Sequence, residues 1–303
     1  MPTLSLDSQT DDDQWIWESF RYHSRTFSLA AYLLPRSVQM SVATLYLYCR
    51  RVDSIADQRV LEVGPERALQ EVKQVRDRLD DTLAGRPPSD TVLWDRLADV
   101  HEQASLPREP MYELIEGALW DLRDRPIASK QDLVDYSNLV GGSVGAMMLP
   151  FLARPERHDA LETHARKLGI AMQITNIVRD VGEDITDLDR VYLPQDWLET
   201  HDVSVEALEE AQVASGYPAL LEQAMETAEQ YYAESFDGIS ALPFRARYGI
   251  RAATRMYREI LNEVRANRYD NLNQRAYVSL RRKLLLLVYD GYERRKKQVR
   301  TAA

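Results

Sequence analysis

The stretch that decides the fold is Gln173-Ile174-Thr175-Asn176-Ile177-Val178-Arg179-Asp180-Val181-Gly182-Glu183-Asp184. Gln173, Asn176, Asp180 and Asp184 follow one another at steps of three, four and four, the spacing that stacks side chains on one face of an α-helix. Leu168, Ala171, Ile174, Thr175, Ile177, Val178 and Val181 fill the other face with apolar or small groups. A helix with acids along one stripe and apolar residues elsewhere is packed inside a protein and turns its acids toward something shared. Upstream, Tyr46, Arg50, Asp53 and Asp57 repeat the pattern at steps of four, three and four behind the apolar run from Val42 to Cys49. The bare D-x-x-x-D pattern also occurs at Asp7/Asp11, Asp77/Asp81 and Asp95/Asp99, so it is the buried setting that separates two pairs from the other three. Two readings stay open on spacing alone. Carboxylates on two buried helices can hold metal ions together, or an Asp–Arg network through Arg50 and Arg179 can neutralise them.

Outward from these helices the apolar spacing is helical throughout, which predicts an all-α chain. Helices are expected over 15–33, 37–58, 65–84, 90–104, 108–124, 129–153, 157–185, 217–240, 243–267 and 276–297, with prolines mostly in the gaps. No gap reads as an interdomain linker. A frayed acidic lead (1–13), one catalytic domain (14–298) and a short tail (299–303) are therefore expected, with 185–215 the least regular part. The net charge of -10 speaks against nucleic acid as a partner. The lone Cys49 fits a reducing, cytoplasmic compartment, and no apolar run reaches the roughly 20 residues of a membrane span. Oxygen-only ligands favour Mg²⁺, with Mn²⁺ next. P-loop and dinucleotide motifs are absent from the sequence, so no nicotinamide cofactor is expected.

Several stretches, in this order, resemble the squalene and phytoene synthases. They are His23-Ser24-Arg25-Thr26-Phe27 with Leu33-Leu34-Pro35, then Tyr46-x-x-Cys49-Arg50-Arg51-x-Asp53-x-x-x-Asp57. Tyr136 with Gly141-Gly142-Ser143-Val144-Gly145 follows, then the Gln173–Asp184 stretch with Arg190-Val191-Tyr192-Leu193-Pro194. The resemblance runs from about Trp15 to Val288. It departs from the family pattern at Ser54, where many members carry a second acid, and in an Asp184–Arg190 loop one residue longer.

What the resemblance implies is a single isoprenoid-synthase helical domain with a central cavity, joining two prenyl diphosphates head to head. Asp53, Asp57, Asn176, Asp180 and Asp184 would serve Mg²⁺, the four aspartates and Tyr136 would act in catalysis, and His23, Ser24, Arg25, Thr26, Tyr46, Arg50, Gln173, Arg179 and Tyr257 would line the diphosphates and reacting ends. The C-terminal stretch Tyr257–Val264 with Arg275-Ala276-Tyr277-Val278 looks like the branch that condenses two C20 geranylgeranyl diphosphates without a reductant. A C30 synthase using farnesyl diphosphate is the nearest alternative. A non-catalytic assembly factor of the same fold is a distant one, disfavoured by the intact acids, and a terpene cyclase is disfavoured by the missing D-D-x-x-D.

Some residues carry a plain reading beside the sharp one. Gly141 and Gly145 serve close helix packing or line a prenyl pocket, and Tyr136 is a core tyrosine or a neighbour of the cation. Ala30, Ala31, Ala43 and Thr44 are expected to leave room for a long tail, Ala43 lying roughly 15 Å along its helix from Asp53. Arg281-Arg282-Lys283 and Arg294-Arg295-Lys296-Lys297 read as a solvated basic face, with a weak peripheral hold on an anionic membrane as the second reading.

Overall fold

In a computed structural model, residues 9–88 and 91–286 are described. Every regular element among them is helical. In chain order these are α1 (Gln9–His23), α2 (Arg25–Ala31), α3 (Arg36–Ser54), α4 (Val60–Val63), α5 (Pro65–Leu83), α6 (Val92–Ala104), α7 (Arg108–Leu122) and α8 (Lys130–Ser137). Then come α9 (Ser143–Met147), α10 (Leu149–Leu152), α11 (His158–Leu188), α12 (Gln195–Thr200), α13 (Val205–Glu209), α14 (Tyr217–Ala241) and α15 (Phe244–Ala266). Residues 280–286 are helical as well. No helix among the described residues is long and apolar enough to cross a membrane.

The centre is α11, whose Ile170, Ala171, Ile174, Ile177, Val178 and Val181 are buried against α14 and the segment from α8 to α9. Its length follows from the unbroken apolar stripe, and it ends where Asp189 turns left-handed at φ 55°. Close approach on one side needs glycine. A Cβ on Gly169 would stand 2.0 Å from the Gly141 carbonyl oxygen, and one on Gly145 would stand 2.1 Å from that of Ala165. On the other side Gly182 lets the segment after α15 lie on the helix: its N–H donates to Asn271 O at 3.3 Å, and the Asn271 amide donates to Val178 O.

Three details differ from the sequence reading. The helix expected over 15–33 is broken at Ser24, whose hydroxyl caps α2 by accepting from Phe27 N at 3.1 Å. The helices expected over 37–58 and 129–153 each contain a π-turn, Ile55–Arg59 and Asn138–Gly142, where Val60 N–H bonds Ile55 O and Ser143 N–H bonds Asn138 O. Such widened turns leave a continuous apolar pattern, so periodicity does not reveal them. Finally, α1 begins at Gln9, inside the stretch read as a frayed lead. The helix expected from 276 starts only at 280; residues 1–8, the second half of that expected 276–297 helix and the Arg294–Lys297 run lie outside the described residues.

Candidate active site

The two acidic helices face each other across a cavity of about 1100 Å³. Asp53 and the π-turn's Asp57 stand on one wall; Asn176, Asp180, Glu183 and Asp184 of α11 stand on the other. A second cavity of about 260 Å³ continues inward from Asp53, Tyr46, Phe27, Val140, Gln173 and Asn176, which line both. Its deeper walls include Ala30, Ala31, Leu34, Val42, Met172 and Ile250, so a polar mouth leads into an apolar tunnel.

Electrostatics distinguishes the acids. Arg179 and Arg275 both hold Asp180, Arg275 Nε at 2.9 Å from Oδ1, and Arg275 reaches Glu183 at 3.0 Å. Arg190 sits 3.4 Å from Asp57 and donates to Ala56 O at 3.0 Å. The side-chain carboxyls of Asp53 and Asp184 have no ion-pair or hydrogen-bond partner among the described residues. Burial first, then Asp57, pushes the Asp53 carboxyl up to about 8 although Arg50 opposes the shift. Burial first, then Asp180 and Asp57, pushes Asp184 up to about 8. An Asp–Arg network therefore accounts for part of the site and leaves one acid on each wall uncompensated. The buried Asn176 Oδ1 also has no hydrogen-bond partner. Oxygen donors that the fold buries and does not satisfy suit a hard cation. Among the described residues no three acid, histidine or cysteine side chains converge tightly enough to hold an ion by themselves.

The expected substrate-lining residues gather at the mouth. His23, Ser24, Thr26, Tyr46, Arg50, Gln173, Arg179 and Tyr257 all line the larger cavity. Burial, with Arg50 second, lowers the His23 pKa, which keeps the ring neutral near pH 7. Tyr257 is buried against Phe27 with ring centroids 4.9 Å apart. Asn176 Nδ2 donates to Gln173 Oε1 at 3.2 Å. Arg25 opens α2, but its side chain lies outside what is described. Tyr136 is a buried tyrosine with its hydroxyl bonded to Asp121, and it also lines the cavity. Gly141 and Gly145 likewise do both things, since they pack on α11 and line the tunnel. Ser54 turns away and donates to Arg50 O at 2.6 Å.

Other expectations need correcting. Ala30 and Ala31 line the tunnel, but Ala43 and Thr44 do not: the residues of α3 that reach it are Val42, Tyr46, Cys49 and Asp53, and Ala43 is packed on the neighbouring face. Lys283 is not part of a solvated face. It is buried, lines the larger cavity and donates to Thr26 Oγ1 at 2.7 Å. Asp121 of α7 carried no signal in the sequence, being one of four acids on that helix. It is 8% exposed and accepts from Tyr136 at 3.1 Å and from Tyr192 at 3.0 Å, with Arg190 4.0 Å away. Burial pushes it up to about 7 against the pull of Arg190. The rings of Tyr136 and Tyr192 stack with centroids 5.0 Å apart.

Opposed acidic helices at a polar mouth, cations around it and an apolar tunnel behind it define an all-α protein whose site joins a charged compartment to an apolar one. The chain belongs to the squalene/phytoene synthase family, whose model matches residues 20–282. A phytoene synthase of Rhodobacter capsulatus is 38% identical over 275 residues, covering 89% of this chain and 78% of that protein. One of Thermus thermophilus is 37% identical over 268 residues, covering 88% of each chain. Among solved structures, a dehydrosqualene synthase in complex with ligand superposes with a TM-score of 0.84 at 32% identity, covering 94% of this chain and 97% of that one. A squalene synthase from Alicyclobacillus acidocaldarius, 22% identical with a TM-score of 0.74 over 86% of this chain and 95% of that one, shares the fold.

Proposed function

We propose that this chain acts as a phytoene synthase, condensing two geranylgeranyl diphosphates head to head in carotenoid biosynthesis. The observation that carries the proposal is the pairing of two uncompensated acids, Asp53 and Asp184, across the mouth of an apolar tunnel lined by small residues at Ala30 and Ala31.

Mg²⁺, or Mn²⁺ in its place, would be held by Asp53, Asp57, Asn176, Asp180 and Asp184 together with diphosphate oxygens, and it would supply charge neutralisation of the leaving group. The remaining work falls to the chain's own groups. Arg50, Arg179, Arg275 and Lys283 surround the mouth, where they would bind and orient the two diphosphates, with His23, Ser24, Thr26 and Gln173 as further polar contacts. Tyr46 and Tyr257 would flank the reacting ends. The tunnel would take a prenyl tail and keep water from the allylic cation. The C–O bond of one substrate breaks and the electron pair leaves with the diphosphate. The double bond of the second substrate closes on the cation, giving a cyclopropylcarbinyl diphosphate with loss of a proton. A second ionisation and rearrangement, again with loss of diphosphate and a proton, yields the linear hydrocarbon without nicotinamide.

A C30 reading on farnesyl diphosphate is the second one, favoured by the likeness to the dehydrosqualene synthase structure. Comparing specificity constants for the two diphosphates with Mg²⁺ and no NADPH tests the choice. A higher constant for geranylgeranyl diphosphate supports the proposal, and a higher one for farnesyl diphosphate moves the chain to the C30 reading. We also infer a cytoplasmic enzyme with weak peripheral membrane contact. Exposed Tyr277, Leu280, Leu284 and Leu285 beside the mouth, with exposed Arg281 among them, support that contact.

A further inference from the structure

Asp121 lies on α7, far in sequence from both acidic stripes, yet it lines the cavity beside Tyr136, Tyr192 and Val140. Each carboxylate oxygen accepts one tyrosine hydroxyl, Oδ2 from Tyr136 at 3.1 Å and Oδ1 from Tyr192 at 3.0 Å. Arg190 Nη1 donates to the Tyr192 oxygen at 3.3 Å. A tyrosine hydroxyl has one proton, so when Asp121 is ionised both protons are committed to it and neither is free for another group in the cavity. What the two stacked rings can then offer to the cavity is their π-faces and the free lone pair of Tyr136, since Arg190 already occupies the Tyr192 oxygen.

We propose that Asp121 is a positioning residue that commits the Tyr136 and Tyr192 hydroxyl protons to itself, so that this wall stabilises the cations formed after the cyclopropylcarbinyl diphosphate ionises. The proposal rests on the head-to-head reading above. The wall is apt for the later cations because it shares the cavity with Val140, which also lines the tunnel. An amide at this position reverses one of the contacts. Its Nδ2 is a donor, so a tyrosine facing it must accept and turn its own proton into the cavity, toward developing positive charge.

The test is product partition. Wild-type protein and Asp121→Asn are incubated with Mg²⁺ and geranylgeranyl diphosphate, and the cyclopropylcarbinyl diphosphate and the hydrocarbon are both quantified, alongside melting temperature. Asp121→Asn is expected to slow hydrocarbon formation about tenfold or more while consumption of geranylgeranyl diphosphate falls far less, so that the intermediate accumulates. Tyr136→Phe/Tyr192→Phe, which keeps the rings and removes both hydroxyls, is expected to shift the partition the same way. Adding Asp121→Asn to that pair is then expected to change the partition little, because the protons it misdirects are gone. Wild-type partition in Asp121→Asn overturns the proposal. So does an equal fall in both half-reactions with a lowered melting temperature, or a full additional effect of Asp121→Asn in the double phenylalanine background. Wild-type protein that makes neither compound refutes the head-to-head reading itself, a separate outcome.

Discussion

Replacing Asp53 by Asn is expected to abolish turnover and yet stabilise the metal-free protein. In an unfolded chain this carboxyl ionises near pH 4. In the fold, burial and Asp57 hold its proton to about 8. The folded state therefore binds one more proton between those values, and wild-type stability falls as pH rises through the window, with the penalty absent below about 4 and complete above about 8. A shift from 3.8 to about 8 is worth at most about 6 kcal/mol. Water in the open mouth screens part of that, so about 2 kcal/mol is the expected gain for the neutral amide at pH 8.5, or roughly 4 °C in a chain of this size. Calorimetry in chelator at pH 8.5 and at pH 5 checks it. The variant is expected to melt above wild type at pH 8.5 and by a smaller margin at pH 5, where the wild-type carboxyl is already largely protonated. Added Mg²⁺ with inorganic diphosphate is expected to raise the melting temperature of wild type but not of the variant. A variant that melts below wild type in chelator at pH 8.5 would mean that Asp53 is compensated in the fold, and the charge argument would fail.

Three further perturbations have expected outcomes. Ala31→Phe puts a ring into the tunnel of about 260 Å³ that Ala31 lines, so the specificity constant for geranylgeranyl diphosphate should drop roughly tenfold more than that for farnesyl diphosphate; an equal loss with a lowered melting temperature indicates packing damage instead. Gly182→Ala places a Cβ 2.3 Å from the Leu272 carbonyl oxygen, backbone that cannot move aside cheaply, and should lower the melting temperature by several degrees through about 1–3 kcal/mol of overpacking. The same variant shifts the segment carrying Arg275, so diphosphate binding measured by calorimetry should weaken as well. NADPH added to the reaction is expected to leave both rate and hydrocarbon unchanged, and formation of a more reduced product would assign the chain to the reducing branch.

The acidic stripes were legible in the sequence because each lies on a single helix, where spacing alone fixes a face. Asp53, Asp57, Asp180 and Asp184 needed only the 3.6-residue period and an apolar opposite side to be grouped. Asp121 escaped for the converse reason: its partners Tyr136, Tyr192 and Arg190 come from other elements, and only the fold assembles them. Lys283 was hidden by composition, since a lysine after two arginines reads as surface until its amine is found against Thr26. The α3 face was misjudged by one residue at depth. Counting back from Asp53 selects Ala43, but the helical period brings Val42, Tyr46, Cys49 and Asp53 to the tunnel at steps of four, three and four. The π-turn at Ile55–Arg59 was invisible as well, because one extra residue in a turn leaves the hydrophobic pattern intact while re-aiming Asp57 toward Arg190.

The central claim is that the two acidic walls act together on prenyl diphosphates that end in the apolar tunnel. Its most direct test is one incubation of the purified protein with isotopically labelled geranylgeranyl diphosphate and Mg²⁺, without NADPH and with a chelator control, followed by mass analysis of the extracted hydrocarbon. The account predicts a labelled C40 hydrocarbon that disappears with chelator and in Asp180→Asn. Full C40 formation by Asp180→Asn or in chelator, or no hydrocarbon from geranylgeranyl diphosphate under any condition, would contradict it.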